Sequence, residues 1–188
     1  MLTKWGKKLV QNSGFRIALP TQTFSAANNY GFVNAKTTTG SGIVVGPYTS
    51  FPENYTLLTS ISEKSSNATG IAFGSGSTPA TDEDYTIESI ISTISANTPT
   101  VVTSFDATNN KFVSYVEYTI TNTGSASISI SELARFVLLQ KATALGELCS
   151  TSTGERYNIL IDHVILDDPV VISPGESGIV RYSASYTE

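Results

Sequence analysis

The run Lys111–Ile130, KFVSYVEYTITNTGSASISI, constrains this chain more than any other stretch. Phe112, Val116, Tyr118 and Ile120 fall on alternate positions, with Ser114 the only polar interruption, so they share one face of a strand. Val113, Tyr115, Glu117, Thr119 and Thr121 make the other, solvent-tolerant face. Asn122-Thr-Gly-Ser then supplies a turn, and alternation resumes with Ala126, Ile128 and Ile130 on one side. A short Gly-containing loop between alternating runs predicts a hairpin. Pro169–Tyr186 has the same pattern: a Pro-Gly turn leads into a strand with Val180, Tyr182, Ala184 and Tyr186 in register. Both stretches predict half-buried antiparallel sheet, and neither contains a reactive group.

Other segments agree. Tyr30–Val33, Gly42–Val45, Asn54–Leu58 and Ile71–Phe73 are candidate strands, separated by Gly, Pro and Asn. Ile130–Lys141 combines helix and strand signals. Strand is the better reading, because the Gly-containing loop through Ser150–Gly154 then lets Tyr157–Leu166 pair back. Closely spaced strands without a convincing amphipathic helix predict an all-β fold, an antiparallel β-sandwich of jelly-roll or Ig-like type. Residues 1–20 stand apart, holding the single Trp5 and four basic residues, Lys4, Lys7, Lys8 and Arg16. A short helix over Thr3–Val10 would be interrupted by Gly6. The expected organisation is an N-terminal arm, 1–20, and a β-sandwich domain, 21–188.

Composition narrows the function classes. At 188 residues the chain can build a real core. Charged residues are 14%, against about 25% in an average soluble protein. Ser and Thr replace the missing charge, as suits a surface covered in an assembly, although secreted β-proteins look similar. A net charge of −5 argues against nucleic-acid binding by the domain as a whole. The single Cys149 allows no internal disulfide. No apolar leader core precedes residue 20, and no run approaches the ~18 apolar residues of a membrane span. A soluble chain made in the cytoplasm is expected, and the sequons at Asn54 and Asn67 then carry no meaning.

Motifs with chemistry are few. Gly74-Ser-Gly-Ser follows a strand but lacks the Gly-Lys-Ser/Thr of a phosphate loop, so it reads as a flexible connection. Asp82, Asp84 and Glu88 are spaced as oxygen ligands for calcium can be, but without the EF-hand pattern they read as a solvated acidic loop. Asp162, Asp167 and Asp168 surround the lone His163, a set that a two-carboxylate hydrolase would need in one cleft. Asp167-Asp168-Pro169 reads more simply as a turn entering the last hairpin. Cys149 reads as a small packed hydrophobe. His163, alternating with Ile161 and Ile165, reads as a half-buried strand residue.

Four segments taken in order carry a resemblance. Gly70–Ser89, GIAFGSGSTPATDEDYTIES, resembles a G-x-G-(S/T)-T-P-x-x-x-D-Y-x-L-E-S segment of small β-sandwich virion proteins of tailed bacteriophages. The Asn122–Ser125 turn, Ile130–Glu132 and Val164–Ser177 follow in the same order, over roughly residues 55–186. The resemblance implies a non-enzymatic subunit in the head, neck or tail of a virion, without catalytic residues or cofactor. Its partners would be other virion proteins, capsid, portal/neck or tail subunits, and copies of itself, with no membrane or sequence-specific nucleic acid. Candidate contact residues are Trp5, Lys7 and Lys8 in the arm and Phe73, Asp82, Asp84 and Tyr85 in the Gly70–Ser89 region. The competing expectation is a carbohydrate- or receptor-binding sandwich of a fibre or spike, with Tyr48, Tyr55, Tyr85 and Tyr157 as an aromatic platform.

Overall fold

A computed structural model describes residues 33–46, 56–64, 70–106, 111–141 and 155–182. Ten strands run through them: β1 (Val33–Lys36), β2 (Gly42–Gly46), β3 (Thr56–Leu58), β4 (Gly70–Gly74), β5 (Ile94–Ala96), β6 (Thr100–Asp106), β7 (Lys111–Asn122), β8 (Ile128–Lys141), β9 (Arg156–Ile172) and β10 (Ser177–Tyr182). The described residues contain no helix, so none that is long and apolar enough to cross a membrane. The all-β expectation therefore holds for them. The arm residues Trp5, Lys7 and Lys8, the Thr3–Val10 segment, Tyr30–Phe32, Tyr48, Asn54, Tyr55, Asn67, Cys149, Ala184 and Tyr186 lie outside the described residues, as do the side chains of Phe112, Val113 and Ser114.

The strands form two sheets. In the larger, β9 pairs with β8 from Ile128 to Gln140, which occupies one whole edge of β8. The other edge is shared end to end. β4 pairs with Glu132–Phe136 and β2 with Gln140–Lys141, giving the order β1-β2-β8-β4-β3 with β9 outside it. In the smaller sheet β10 takes one edge of β7, and β5 and β6 share the other. Pairing is antiparallel except for β3 with β4, which run parallel, so the larger sheet is mixed. Parallel neighbours need a crossover. Residues 59–64 supply its first part, reaching across to the far edge, where Asn158 N–H donates to the Glu63 carbonyl.

The core lies between the two sheets. Ile71 and Phe73 of β4, Ile130 and Leu133 of β8 and Ile172 of β9 meet Ile94 of β5, Val116, Tyr118 and Ile120 of β7, and Val180 and Tyr182 of β10. The alternation read in β7 is thus the alternation buried. At the centre Phe73 meets Tyr118 edge to face, with ring centroids 5.9 Å apart, a favoured aromatic geometry.

Two expected hairpins are crossings between the sheets. Asn122-Thr-Gly-Ser does not fold β8 back on β7, because β7 lies in the smaller sheet and β8 in the larger. β9 and β10 are divided between the sheets in the same way. Asn122 joins both crossings. Its fully buried side-chain amide donates to the carbonyls of Ala126 (2.8 Å) and Ile172 (3.0 Å) and accepts from Gly124 N–H (2.9 Å). Its own N–H donates to the Glu176 carbonyl, and its carbonyl accepts from Gly175 N–H. Gly175 turns the second crossing with φ of 75°, a conformation that disfavours a Cβ.

Asp167-Asp168-Pro169 is not a turn either; it lies inside β9. Ile130 pairs with Val170 and Glu132 with Ile165, so Leu166–Pro169 stand opposite Ser131 alone, as a wide bulge. A bulge tolerates proline because its N–H is not required by the ladder. A second register shift is smaller. Arg135 pairs with Asp162 and Phe136 with Leu160, which leaves Ile161 as one extra residue.

Candidate functional site

The single extra residue at Ile161 decides where His163 points. Strict alternation from Ile159, which packs in the inner cluster with Val137 and Leu139, would put Ile161 and His163 on the same inner face. Skipping one residue inverts the phase. His163 therefore pairs with Ala134 and shares the outer face of the larger sheet with Leu160 and Phe136, while Asp162 faces inward to Tyr182.

On that outer face His163 is held between two carboxylates. Its Nδ1–H donates to Asp84 Oδ2 at 2.6 Å and its Nε2–H to Glu132 Oε1 at 2.9 Å. With an acceptor on each nitrogen, only the doubly protonated imidazolium satisfies both contacts. The His163 and Glu132 side chains are 5% and 0% exposed, and Asp84 is 24% exposed at the outer rim. Burial is the largest influence on each group, opposing the charged form, and the hydrogen bonds outweigh it. The contacts with Glu132 and then Asp84 raise the His163 pKa above its ordinary value. Glu132 is held below the usual carboxylate range by His163 and the Glu88 and Gly76 amides. Asp84 is lowered by the Thr81 hydroxyl and amide and then by His163.

Local sequence builds this site. After β4, residues 75–93 fold back over the outer face. Ser75 N–H donates to the Ser89 carbonyl and Ile91 N–H to the Phe73 carbonyl. The Gly74-Ser-Gly-Ser segment is not a flexible link. Its Gly76 N–H (3.2 Å), with the Glu88 N–H (3.0 Å), cradles the chain's own Glu132 carboxylate. A Cβ on Gly74 or Gly76 would stand 2.4 or 2.6 Å from Glu132 Oε2, so glycine is what permits the approach. Ser131 Oγ–H secures the same loop through the Gly76 carbonyl at 2.8 Å.

The sequence-predicted residues separate accordingly. Phe73, expected at a contact surface, is fully buried, because its strand alternation faces the smaller sheet. Asp84 turns inward to His163 and Thr81, whereas Asp82 is exposed. Tyr85 is half-buried, with the Lys36 ammonium 5.5 Å from its ring centroid. Glu88 accepts from the Ser77 amide, so the three carboxylates do not converge as calcium ligands would. Among the described residues no three His, Cys, Asp or Glu side chains are grouped as a metal site requires.

Asp162 and His163 project to opposite faces of β9, so the hydrolase-like set is not assembled, and Asp167 and Asp168 sit apart on the exposed bulge. With both ring nitrogens committed as donors, His163 has no lone pair to serve as a general base. Tyr157, expected on an exposed aromatic platform, is buried near the start of β9, its hydroxyl donating to Glu155 Oε2 at 2.8 Å. Glu155 gathers Lys64 (2.5 Å) and Lys141 (3.2 Å) as well, and this exposed cluster holds its carboxyl down to about 2.

Sequence reasoning missed Glu132. The available signal was a lone carboxylate inside the apolar run of β8, where an unpaired charge is costly. No protein-family model matches this chain, no curated protein matches it, and no solved structure matches it.

A further surface feature lies where β9 crosses to β10. Among the described residues the exposed large hydrophobics are Val171, 67% exposed on β9, and Ile179, 59% exposed on β10. They flank the same crossing, on strands that each form an edge of their sheet.

Proposed function

We propose that this chain is a non-enzymatic structural subunit of a tailed-phage virion, a β-sandwich of jelly-roll or Ig-like type acting through contacts with neighbouring subunits. The observation that carries the reading is the exposed apolar surface beside the crossing from β9 to β10. Among the described residues each strand lies at an edge of its sheet, β9 with the Lys64–Tyr157 bridge and the Asn158–Glu63 hydrogen bond on its outer side. Val171 and Ile179 place apolar surface on either side of that crossing. Exposed apolar side chains on edge strands suit contact with neighbouring chains. The Pro169 bulge interrupts the β9 edge, leaving β10 as the more regular template. The sparse charge of the chain and its ordered resemblance to virion accessory proteins point the same way.

Peptide mass spectrometry of density-purified particles from the source, with copy number measured against a major shell protein, tests the proposal. A stoichiometric signal is expected, and its size separates shell decoration from a neck or tail ring. Absence from particles would overturn the reading, and glycan-array binding by the purified chain would then favour a receptor-binding module.

A further inference from the structure

The outer face of the larger sheet is apolar at its centre. Leu58, Ala72, Ala134, Phe136 and Leu160 are buried there, packed against Ile87 and Ile90 of the 75–93 segment and against Ile61. Two kinds of attachment hold the covering segment. Its base is tied to β4 by the Ser75–Ser89 and Phe73–Ile91 backbone hydrogen bonds. Its tip, residues 78–87, is tied by Asp84 to His163 and by Glu83 to Lys36 of β1 at 3.7 Å, with Ile87 buried in the apolar cluster.

We infer that residues 78–87 form a strap, fastened over this apolar face by the His163 imidazolium and released when that proton is lost. The inference is independent of the virion reading.

The asymmetry of the clamp sets the way it opens. Among the described residues the charged groups seen around His163 are Asp84 from the strap and Glu132 from β8, with Glu88 beside Glu132 and Lys36 on the strap's β1 side. A neutral imidazole keeps one N–H and turns a bare lone pair to the other carboxylate. Glu132 is fully buried and fixed by two backbone amides, so it cannot retreat and keeps the remaining N–H. Asp84 stands at the rim and can hydrate. The tip therefore leaves while the base stays, and Ile87 withdraws from Phe136 and Leu160. Release follows proton loss from His163, so the strap is closed on the acid side of that titration and open on the alkaline side.

Hydrogen exchange of the full chain, read by mass spectrometry between pH 5.5 and 9.5 and corrected for the intrinsic pH dependence of exchange, tests this. Protection of residues 78–87 should fall by about tenfold or more across the range, as expected for losing one charge-assisted hydrogen bond, and by more than protection in β7. Asp84→Asn, which keeps the shape and removes the rim charge, should lose that protection already at pH 5.5. His163→Gln should behave likewise if it folds. Equal protection at both pH values, or an Asp84→Asn variant indistinguishable from the parent, would overturn the strap. A loss in residues 78–87 no greater than that in β7 would overturn it too, since the clamp would then act only on the whole fold.

Discussion

Asn122 and His163 do the same mechanical job by opposite chemistry. Each is a buried polar side chain that ties a connection to a sheet, Asn122 at the crossings from β7 to β8 and from β9 to β10, His163 at the strap over the outer face. Asn122 does so with neutral groups. Its side chain and backbone make five hydrogen bonds to both crossings, and no partner titrates. His163 does so with a cation between two anions, so the tie exists only in one protonation state. A neutral network suits a permanent join, because its strength does not vary with pH or salt. A buried charge cluster is expensive to desolvate and strong only while complete, which suits a join that can come undone.

Five outcomes sharpen or break this contrast. The largest effect is expected for Glu132→Ala, which leaves a buried imidazolium without its inner partner and orphans two backbone amides. Denaturant unfolding at pH 6 should show a loss of about 3–5 kcal/mol, the range for breaking one side of a buried ion pair. Asn122→Ala should follow at about 2–4 kcal/mol, since it strands two carbonyls and an amide in buried surroundings. That loss should be the same at pH 6 and pH 9. A pH-dependent Asn122→Ala loss would break the comparison.

The third outcome is the pH profile of the unaltered chain. The raised His163 pKa adds stability that is complete below about pH 6.5 and disappears as pH rises through the folded value. The lowered Glu132 and Asp84 pKa values add stability that is complete above about pH 4.5 and disappears as pH falls through theirs. The contribution of the clamp should therefore be greatest between those limits, and His163→Gln should flatten the alkaline side. An unchanged alkaline slope would mean that another group sets it.

Gly76→Ala comes next, at about 1–2 kcal/mol, because the added Cβ stands 2.6 Å from Glu132 Oε2 and 2.8 Å from Glu88 Oε2. Glu88 lies on the surface and can move aside; Glu132 cannot. The cost should shrink in a Glu132→Ala background, and a double-mutant cycle measures the coupling. The smallest effect is expected for Arg181→Ala. It removes an exposed pair with Glu117 at 2.8 Å, and added salt should abolish what difference remains.

Much of the fold was legible beforehand for a local reason. A strand exposes two faces, and a period of two in apolar residues marks which residues share one. Val116, Tyr118 and Ile120 were placed together on that ground and are buried together. The same reasoning correctly favoured strand for Ile130–Lys141 and its pairing with Tyr157–Leu166. The site was less legible. Asp84 and His163 were singled out separately, as a loop acid and a strand histidine. Their partnership spans 79 positions, and Glu132 lies 31 from His163, beyond any spacing rule.

The sequence by itself therefore determined the class of element, the buried face of β7 and the turns at Asn122 and Gly175, because these depend on neighbours a few residues apart. Only the tertiary structure decided that the turns at Asn122 and Gly175 cross between sheets, since turn chemistry reverses a chain without choosing its next partner. Only the tertiary structure decided the inward face of Phe73 and the outward face of His163. Alternation defines two faces without naming which one is covered, and the unpaired Ile161 exchanges them within a single strand. Register is settled where whole sheets pack, and at His163 register assembled the clamp.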